Sequence, residues 1–229
     1  MPHPLARELA ERLAPATPAE RLTPDEPAQR LTPDEPAQRL IPGDRVLLIG
    51  VGSGRNVPVL LAAGARVDAL EEDPGRAREA SARFAAEARV RVVRARYGGP
   101  YPFAGGHAAA LSTHALQHGS LAGVGAAVAA IRSRLRPGGP FYLTLGSKRD
   151  PRFAAGRRLD ADVSAPLEGA EAGVPHLYLD EAQVRTLLAG FEIESASEGS
   201  AAETAGRWAH TAAEAQGLIH WFVRARRAG

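Results

Sequence analysis

The stretch RVLLIGVGSGRN, residues 45–56, places Gly50, Gly52 and Gly54 directly after a short apolar run. Glycine lets the backbone turn tightly and approach a ligand closely, and a helix starting just afterwards offers unpaired N–H groups. This is chemistry for holding a nucleotide-like group. A dinucleotide site asks for G-x-G-x-x-G, with glycine at 55, and Arg55 stands there instead. Taken alone, G-x-G-x-G also fits a plain strand-to-helix turn. About 20 residues after the glycines, the run VDAL ends in Glu71-Glu72-Asp73-Pro74. An acidic side chain at that place accepts hydrogen bonds from both hydroxyls of a ribose. Glu71 follows the run directly and is the better candidate; Glu72 and Asp73 also suit the N-terminus of a following helix.

A second polar group is STHALQH, residues 112–118. Ser112, Thr113, His114 and His118 fall at or beyond the end of another apolar run, where open α/β sheets bind ligands. An imidazole titrates near neutrality, which makes His118 the leading candidate for a general base and His114 the second. If the stretch were helical, His114 and His118 would form an i,i+4 metal pair. The sequence shows no third ligand, so no metal site is assigned. His176 can reach a pocket from a lid or stand alone in a loop, and His220 reads as structural.

The elements that must position these residues alternate. Strands are expected at Arg45–Ile49, Ala65–Leu70, Val90–Ala95, Ala108–Ser112, Phe141–Leu145, Phe191–Ser195 and Leu218–Arg224. Helices are expected over 54–64, from Pro74 to about Ala88, over Leu121–Leu135, and from an Asp180 cap to Gly190. Alternation of this kind predicts a mostly parallel sheet covered on both faces. Arg91 and Arg94 within the third strand suit a sheet edge.

Residues 1–40 read as an N-terminal extension, and 41–229 as the folded domain. RLTPDEPAQ occurs at 21–29 and again, identically, at 30–38, after a degenerate copy at 12–20. Each copy opens like a helix, with Thr23 as cap, Pro24 at the first position and Glu26 completing a capping box. Pro27 then removes the donor that the first full helical bond needs. The repeat is read as a tandem duplication facing solvent.

The chain has 229 residues, 45% hydrophobic and 24% charged, enough to bury a proper core. It has no cysteine, which removes disulfides, thiolate zinc sites, iron–sulfur clusters and cysteine nucleophiles. Lys148 is the only lysine, and the isoelectric point near 9.4 reflects arginine rather than a large excess charge, since the formal net charge is +2. Nucleic acid is therefore not favoured as a partner, and Arg224, Arg226 and Arg227 read as a solvated end. No apolar run is long enough for a membrane span, and the first residues carry charges where a signal peptide is apolar. A cytoplasmic location is expected.

These motifs together resemble the class I S-adenosylmethionine-dependent methyltransferases. VLLIGVGSG resembles the superfamily's first motif and VDALEEDP its acidic second-strand motif. YPFAGGHAAALSTHALQH resembles the stretch around strand four, LRPGGPFYLTL the entry into strand five, GVPHLYLDEAQVRTLLAGFEI the C-terminal helix and strand, and HWFVRAR the closing strand. The nearest flavour is the small-molecule enzymes, including the tellurite-resistance type.

The resemblance implies a Rossmann-like, seven-stranded sheet, helices on both faces, the third strand at an edge and an antiparallel last strand. It implies S-adenosylmethionine as cofactor, bordered by Gly50, Val51, Gly52, Ser53, Gly54, Asn56, Glu71, Glu72, Arg96, Tyr97, Ser112 and Thr113. The family usually carries an acid just past strand three to accept from the adenine amino group. Arg96 stands there, and a guanidinium has no acceptor. Adenine then needs a backbone carbonyl, stacking or Tyr97. The small-molecule flavour implies a small-molecule acceptor, which itself stays open; strand four lacks the Asn/Asp-Pro-Pro-aromatic motif of base-amine methylation, and no cysteine is available for cytosine-C5 or arsenic methylation. The competing class is a non-catalytic cofactor-binding sensor or scaffold of the same fold. A nicotinamide oxidoreductase is disfavoured by Arg55.

Overall fold

Residues 1–14, 41, 43–169, 171–200 and 217–229 are described by the structure, a computed structural model. The chain opens with helix α1 (Pro4–Leu13), then alternates β1 (Arg45–Ile49), α2 (Val57–Ala62), β2 (Arg66–Glu71), α3 (Pro74–Arg83), β3 (Val90–Arg94), β4 (Ala109–Ser112), α4 (Leu121–Arg134) and β5 (Pro140–Ser147). A short helix α5 (Pro151–Ala155) leads to three small strands, β6 (Arg157–Asp160), β7 (Val163–Ala165) and β8 (His176–Leu179). Helix α6 (Glu181–Leu187) and the long strands β9 (Phe191–Ser200) and β10 (Ile219–Arg227) follow.

The seven expected strands lie in the order β3-β2-β1-β4-β5-β10-β9. Pairing is parallel from β3 to β5, and β10 is antiparallel to both β5 and β9. Strand β3 is at the edge, and its Arg91 and Arg94 are exposed. The sequence reading did not anticipate three further strands. The end of β5, at Gly146 and Ser147, pairs with β8, and an antiparallel β8-β7-β6 ribbon extends from there. Their runs, RRLD, VSA and HLYL, are too short to show a period.

Alternate residues of β1 point to opposite faces. Leu47 and Ile49 join Leu143, Val124, Val128, Ile131 and Val184 on the side of α4 and α6. Val46 and Leu48 join Leu111, Val57, Leu60 and Ala80 on the side of α2 and α3. That second layer also contains Leu5, Leu9 and Leu13 of α1, all essentially inaccessible. The expected solvent-facing extension is corrected here: an apolar residue every fourth position makes residues 4–13 an amphipathic helix that completes the core. The helix is fastened by Arg12 to Glu194 and by Glu8 to Arg224. The two identical repeats, with the turns read at Thr23–Pro27, lie outside the described residues.

Helix boundaries shift for local reasons. Helix α2 starts at Val57 because residues 51–57 close two tight turns, Gly54 N–H to Val51 O and Val57 N–H to Gly54 O. Helix α3 stops at Arg83, where Phe84 turns inward over Gly54. The C-terminal arginines are paired rather than solvated: Arg224 meets Glu8, Arg226 meets Glu192, and Arg227 donates to the Leu135 carbonyl.

Candidate functional site

The three glycines of the β1–α2 turn all have positive φ, +74°, +50° and +76° at Gly50, Gly52 and Gly54. They answer to different neighbours. A Cβ on Gly50 would overlap Ala115, and one on Gly54 would overlap the Phe84 ring. A Cβ on Gly52 would meet nothing within 4 Å. Two glycines therefore serve internal packing, while the middle one faces open space where a ligand can lie against bare backbone.

That open space is a cavity of about 320 Å³ beyond the carboxyl ends of β1, β2 and β4. Its wall includes Gly50, Val51, Gly52, Ser53, Arg55, Asn56, Glu71, Tyr97, Thr113, His114, Ala115, His118 and Glu171, with Arg76 and Glu79 at α3. Glu71, at the end of β2, is buried. Its Oε2 accepts the Gly52 N–H at 2.9 Å, and its Oε1 accepts from the Tyr97 hydroxyl and the Asp73 N–H, both at 3.2 Å. A carboxylate has about four acceptor positions, so one remains for a ligand hydroxyl. The expected capture of two ribose hydroxyls is thus narrower than the sequence suggested.

Asn56, the only asparagine in the chain, ties two elements together. Its amide donates to Thr113 Oγ1 at 2.9 Å, and its oxygen accepts the His3 N–H at 2.9 Å, which joins the N-terminus of α1 to the end of β4. Arg55 reaches Thr113 Oγ1 at 3.4 Å. Burial pulls its guanidinium down to about 9, still a cation at neutral pH, so the cavity holds a partly desolvated positive charge suited to a carboxylate. His3 is lowered to about 3, first by burial and then by the nearby Arg55 and His220, and is neutral. Tyr97 is pushed up, by burial and then by the charge of Glu71, and stays a phenol.

The histidines expected after β4 part company. Residues 113–117 form bends and a turn, and His118 bridges to His176, so His114 and His118 share no helical face. His114 sits at φ 59°, with its ring 5.2 Å from that of His3 and 4.9 Å from that of His220. His118 faces the added ribbon. Its ring lies 4.7 Å from that of His176, and its Nε2 is 3.5 Å from Glu171 Oε1. Burial would raise the Glu171 carboxyl, but His118 and His176 outweigh it and hold the group well below the usual carboxylate range.

Ten of the residues expected from sequence line the cavity: Gly50, Val51, Gly52, Ser53, Asn56, Glu71, Tyr97, Thr113, His114 and His118. Four do not. Gly54 packs on Phe84, and Ser112 is fully buried beneath the cavity. Glu72 and Arg96 are exposed and border a separate groove, where Glu72 accepts the Tyr97 N–H. Sequence reasoning missed Arg55 as a wall residue, having weighed it only as a departure from a dinucleotide motif. It also missed Arg76, Glu79, Ala115 and Glu171, and no pattern in the sequence marked the last.

Residues 46–139 match the family model described as a methyltransferase domain. No curated protein matches the chain by sequence. Among solved structures, an S-adenosylmethionine-dependent methyltransferase from Methanosarcina mazei is 15% identical, with 82% of this chain and 94% of that one covered at a TM-score of 0.66. The 1,6-didemethyltoxoflavin-N1-methyltransferase of Burkholderia thailandensis, solved with 1,6-didemethyltoxoflavin and S-adenosylhomocysteine, is 21% identical over 82% and 72% of the two chains, at 0.58. A [4+2]-cyclase is 21% identical over 82% and 76%, at 0.59. The chain shares its fold with these structures, and residues 46–139, which hold the glycine turn and the Glu71 strand end, are similar to a methyltransferase domain.

Proposed function

We propose that this enzyme transfers the methyl group of S-adenosylmethionine to a small-molecule acceptor seated between the glycine turn and the β6–β8 ribbon. The carrying observation is the cavity itself. One side is the bare backbone at Gly52 with the Glu71 carboxylate, and the other is His118 with Glu171 from the ribbon. The residues fit the cofactor: Glu71 keeps one acceptor position for a ribose hydroxyl, Arg55 offers a cation for an amino-acid carboxylate, and the Tyr97 ring supplies an apolar face for a base.

The cofactor brings a methyl group already activated by its sulfonium. The chain has to hold a nucleophile in line and keep water away. A base is required only when the acceptor arrives protonated, and His118, in the cavity wall beside Glu171, is the candidate for that step. No helix among the described residues is long and apolar enough to cross a membrane. A cavity of about 320 Å³ suits a cofactor with a small acceptor better than a macromolecular strand.

The test is methyl-labelled S-adenosylmethionine incubated with the enzyme and a fractionated cell extract. Label should appear in the low-mass fraction. Label confined to protein or nucleic acid would contradict the acceptor class, and tight cofactor binding with no transfer to any fraction would favour a sensor or scaffold.

A further inference from the structure

We infer that His118, Glu171 and His176 form a binding site for one divalent transition-metal ion at the acceptor end of the cavity. His176 is buried, and both of its ring nitrogens face acceptors. Nδ1 lies 2.8 Å from the Val174 carbonyl, and Nε2 lies 3.1 Å from Glu171 Oε2. A neutral imidazole carries one proton and can satisfy only one of these. A metal ion held between Nε2 and the carboxylate would satisfy both groups.

The geometry favours the ion. With Nδ1–H donating to a backbone carbonyl, the lone pair of Nε2 points outward, the arrangement that orients histidine ligands. His118 brings its own Nε2 to the other oxygen of the same carboxylate at 3.5 Å, long for a hydrogen bond. The ligand atoms of the three residues all lie within 4.8 Å of one another. Tetrahedral ligands about 2.1 Å from zinc stand about 3.4 Å apart, and the imidazole-to-carboxylate separations, 3.1 Å to Oε2 and 3.5 Å to Oε1, bracket that spacing. Arg152, 3.7 Å from Glu171 Oε2, supplies an outer partner for the carboxylate.

Two imidazoles and one carboxylate suit zinc and its first-row neighbours, and three protein ligands leave a coordination position open. His118 and Glu171 are part of the cavity wall, so that position is on the cavity side. It would take an oxygen or nitrogen of the acceptor, a role that rests on the function proposed above. With the ion bound, His118 is a ligand rather than a base; coordination would acidify an acceptor hydroxyl, and its proton would pass to solvent water before the oxygen attacks the methyl group.

The experiment is calorimetric titration of the chelator-stripped full chain with zinc, repeated with cobalt to read its visible absorption. One ion per chain is expected. His176→Ala, His118→Ala and Glu171→Gln should each weaken zinc by more than about 100-fold, and His114→Ala should leave it unchanged. His118 is partly exposed, so its variant remains informative if the His176 variant does not fold. Absence of zinc binding, or binding that survives all three substitutions, overturns the site. So does a His176 ring that stays doubly protonated at neutral pH in the presence of saturating zinc, read by nitrogen chemical shifts. Cofactor titration on the same preparations reads the methyltransferase function separately, so failure of one does not mask the other.

Discussion

The Gly52 N–H points at the Glu71 carboxylate 2.9 Å away, so the tip of the glycine turn is held by the residue at the end of the neighbouring strand. The carboxylate thereby has two duties, fixing the turn and offering its remaining acceptor position to the cavity.

Substitution at this pair should show both duties. Glu71→Ala removes charge-assisted bonds worth roughly 1.5–3 kcal/mol each. With partial replacement by water, the net loss in S-adenosylmethionine binding should be about 2–3 kcal/mol, a 30- to 150-fold weaker Kd. Glu71→Gln should lose less, because its amide oxygen can still accept the Gly52 N–H. Glu72→Ala should matter less than Glu71→Ala, since Glu72 is exposed and reaches the cavity only through Tyr97. A larger effect at Glu72 in calorimetry would move the acidic role by one residue.

Gly52 and Gly54 should separate binding from folding. Gly52→Val places methyl groups in open cavity, at a backbone strain of about 1–2 kcal/mol from its positive φ. The variant should fold by circular dichroism and lose cofactor affinity. Gly54→Ala drives a carbon into the Phe84 ring and should lower Tm. Equal cofactor affinity in a folded Gly52→Val protein would show that the turn is only structural.

Acid should destabilise the fold through His3. Its folded pKa is depressed to about 3 from 6.5, so between those values the unfolded state binds more protons. Stability from this group is full above pH 6.5 and falls as pH drops toward 3, by up to about 1.4 kcal/mol per unit. His3→Asn keeps a capping acceptor for the Leu5 N–H and removes the titration. Denaturant unfolding between pH 6.5 and 4.5 should show a shallower slope in the variant; an unchanged slope would remove His3 as the source.

The α1 helix should be part of the cooperative unit. Leu9→Ala empties a fully buried position between α1 and the sheet and should cost about 2–5 kcal/mol. A change below about 0.5 kcal/mol in denaturant melts would mean α1 unfolds separately.

The strands that position the site were legible because apolar runs, glycine turns and proline caps marked them. β1 and the Glu71 end of β2 fell where the sequence placed them, because a buried parallel strand leaves a continuous apolar run. Helix α1 was masked by its neighbours: Leu5, Leu9 and Leu13 keep helical spacing, but the proline-rich repeat beside them drew the whole segment into an extension. Arg55 was visible, yet its place in the wall depends on burial that sequence does not report. Glu171 was hidden because its partners, His118 and His176, meet it only after the short β8 strand folds back on the end of β5. Contacts across short, aperiodic strands leave no period to read.

The most direct measurement is calorimetric titration of the full chain with S-adenosylmethionine, S-adenosylhomocysteine and NAD side by side. Saturable binding of both sulfur compounds, with NAD weaker than either, is the predicted result. Tight NAD binding with no measurable affinity for the other two would contradict the assignment of this cavity to a methyl donor.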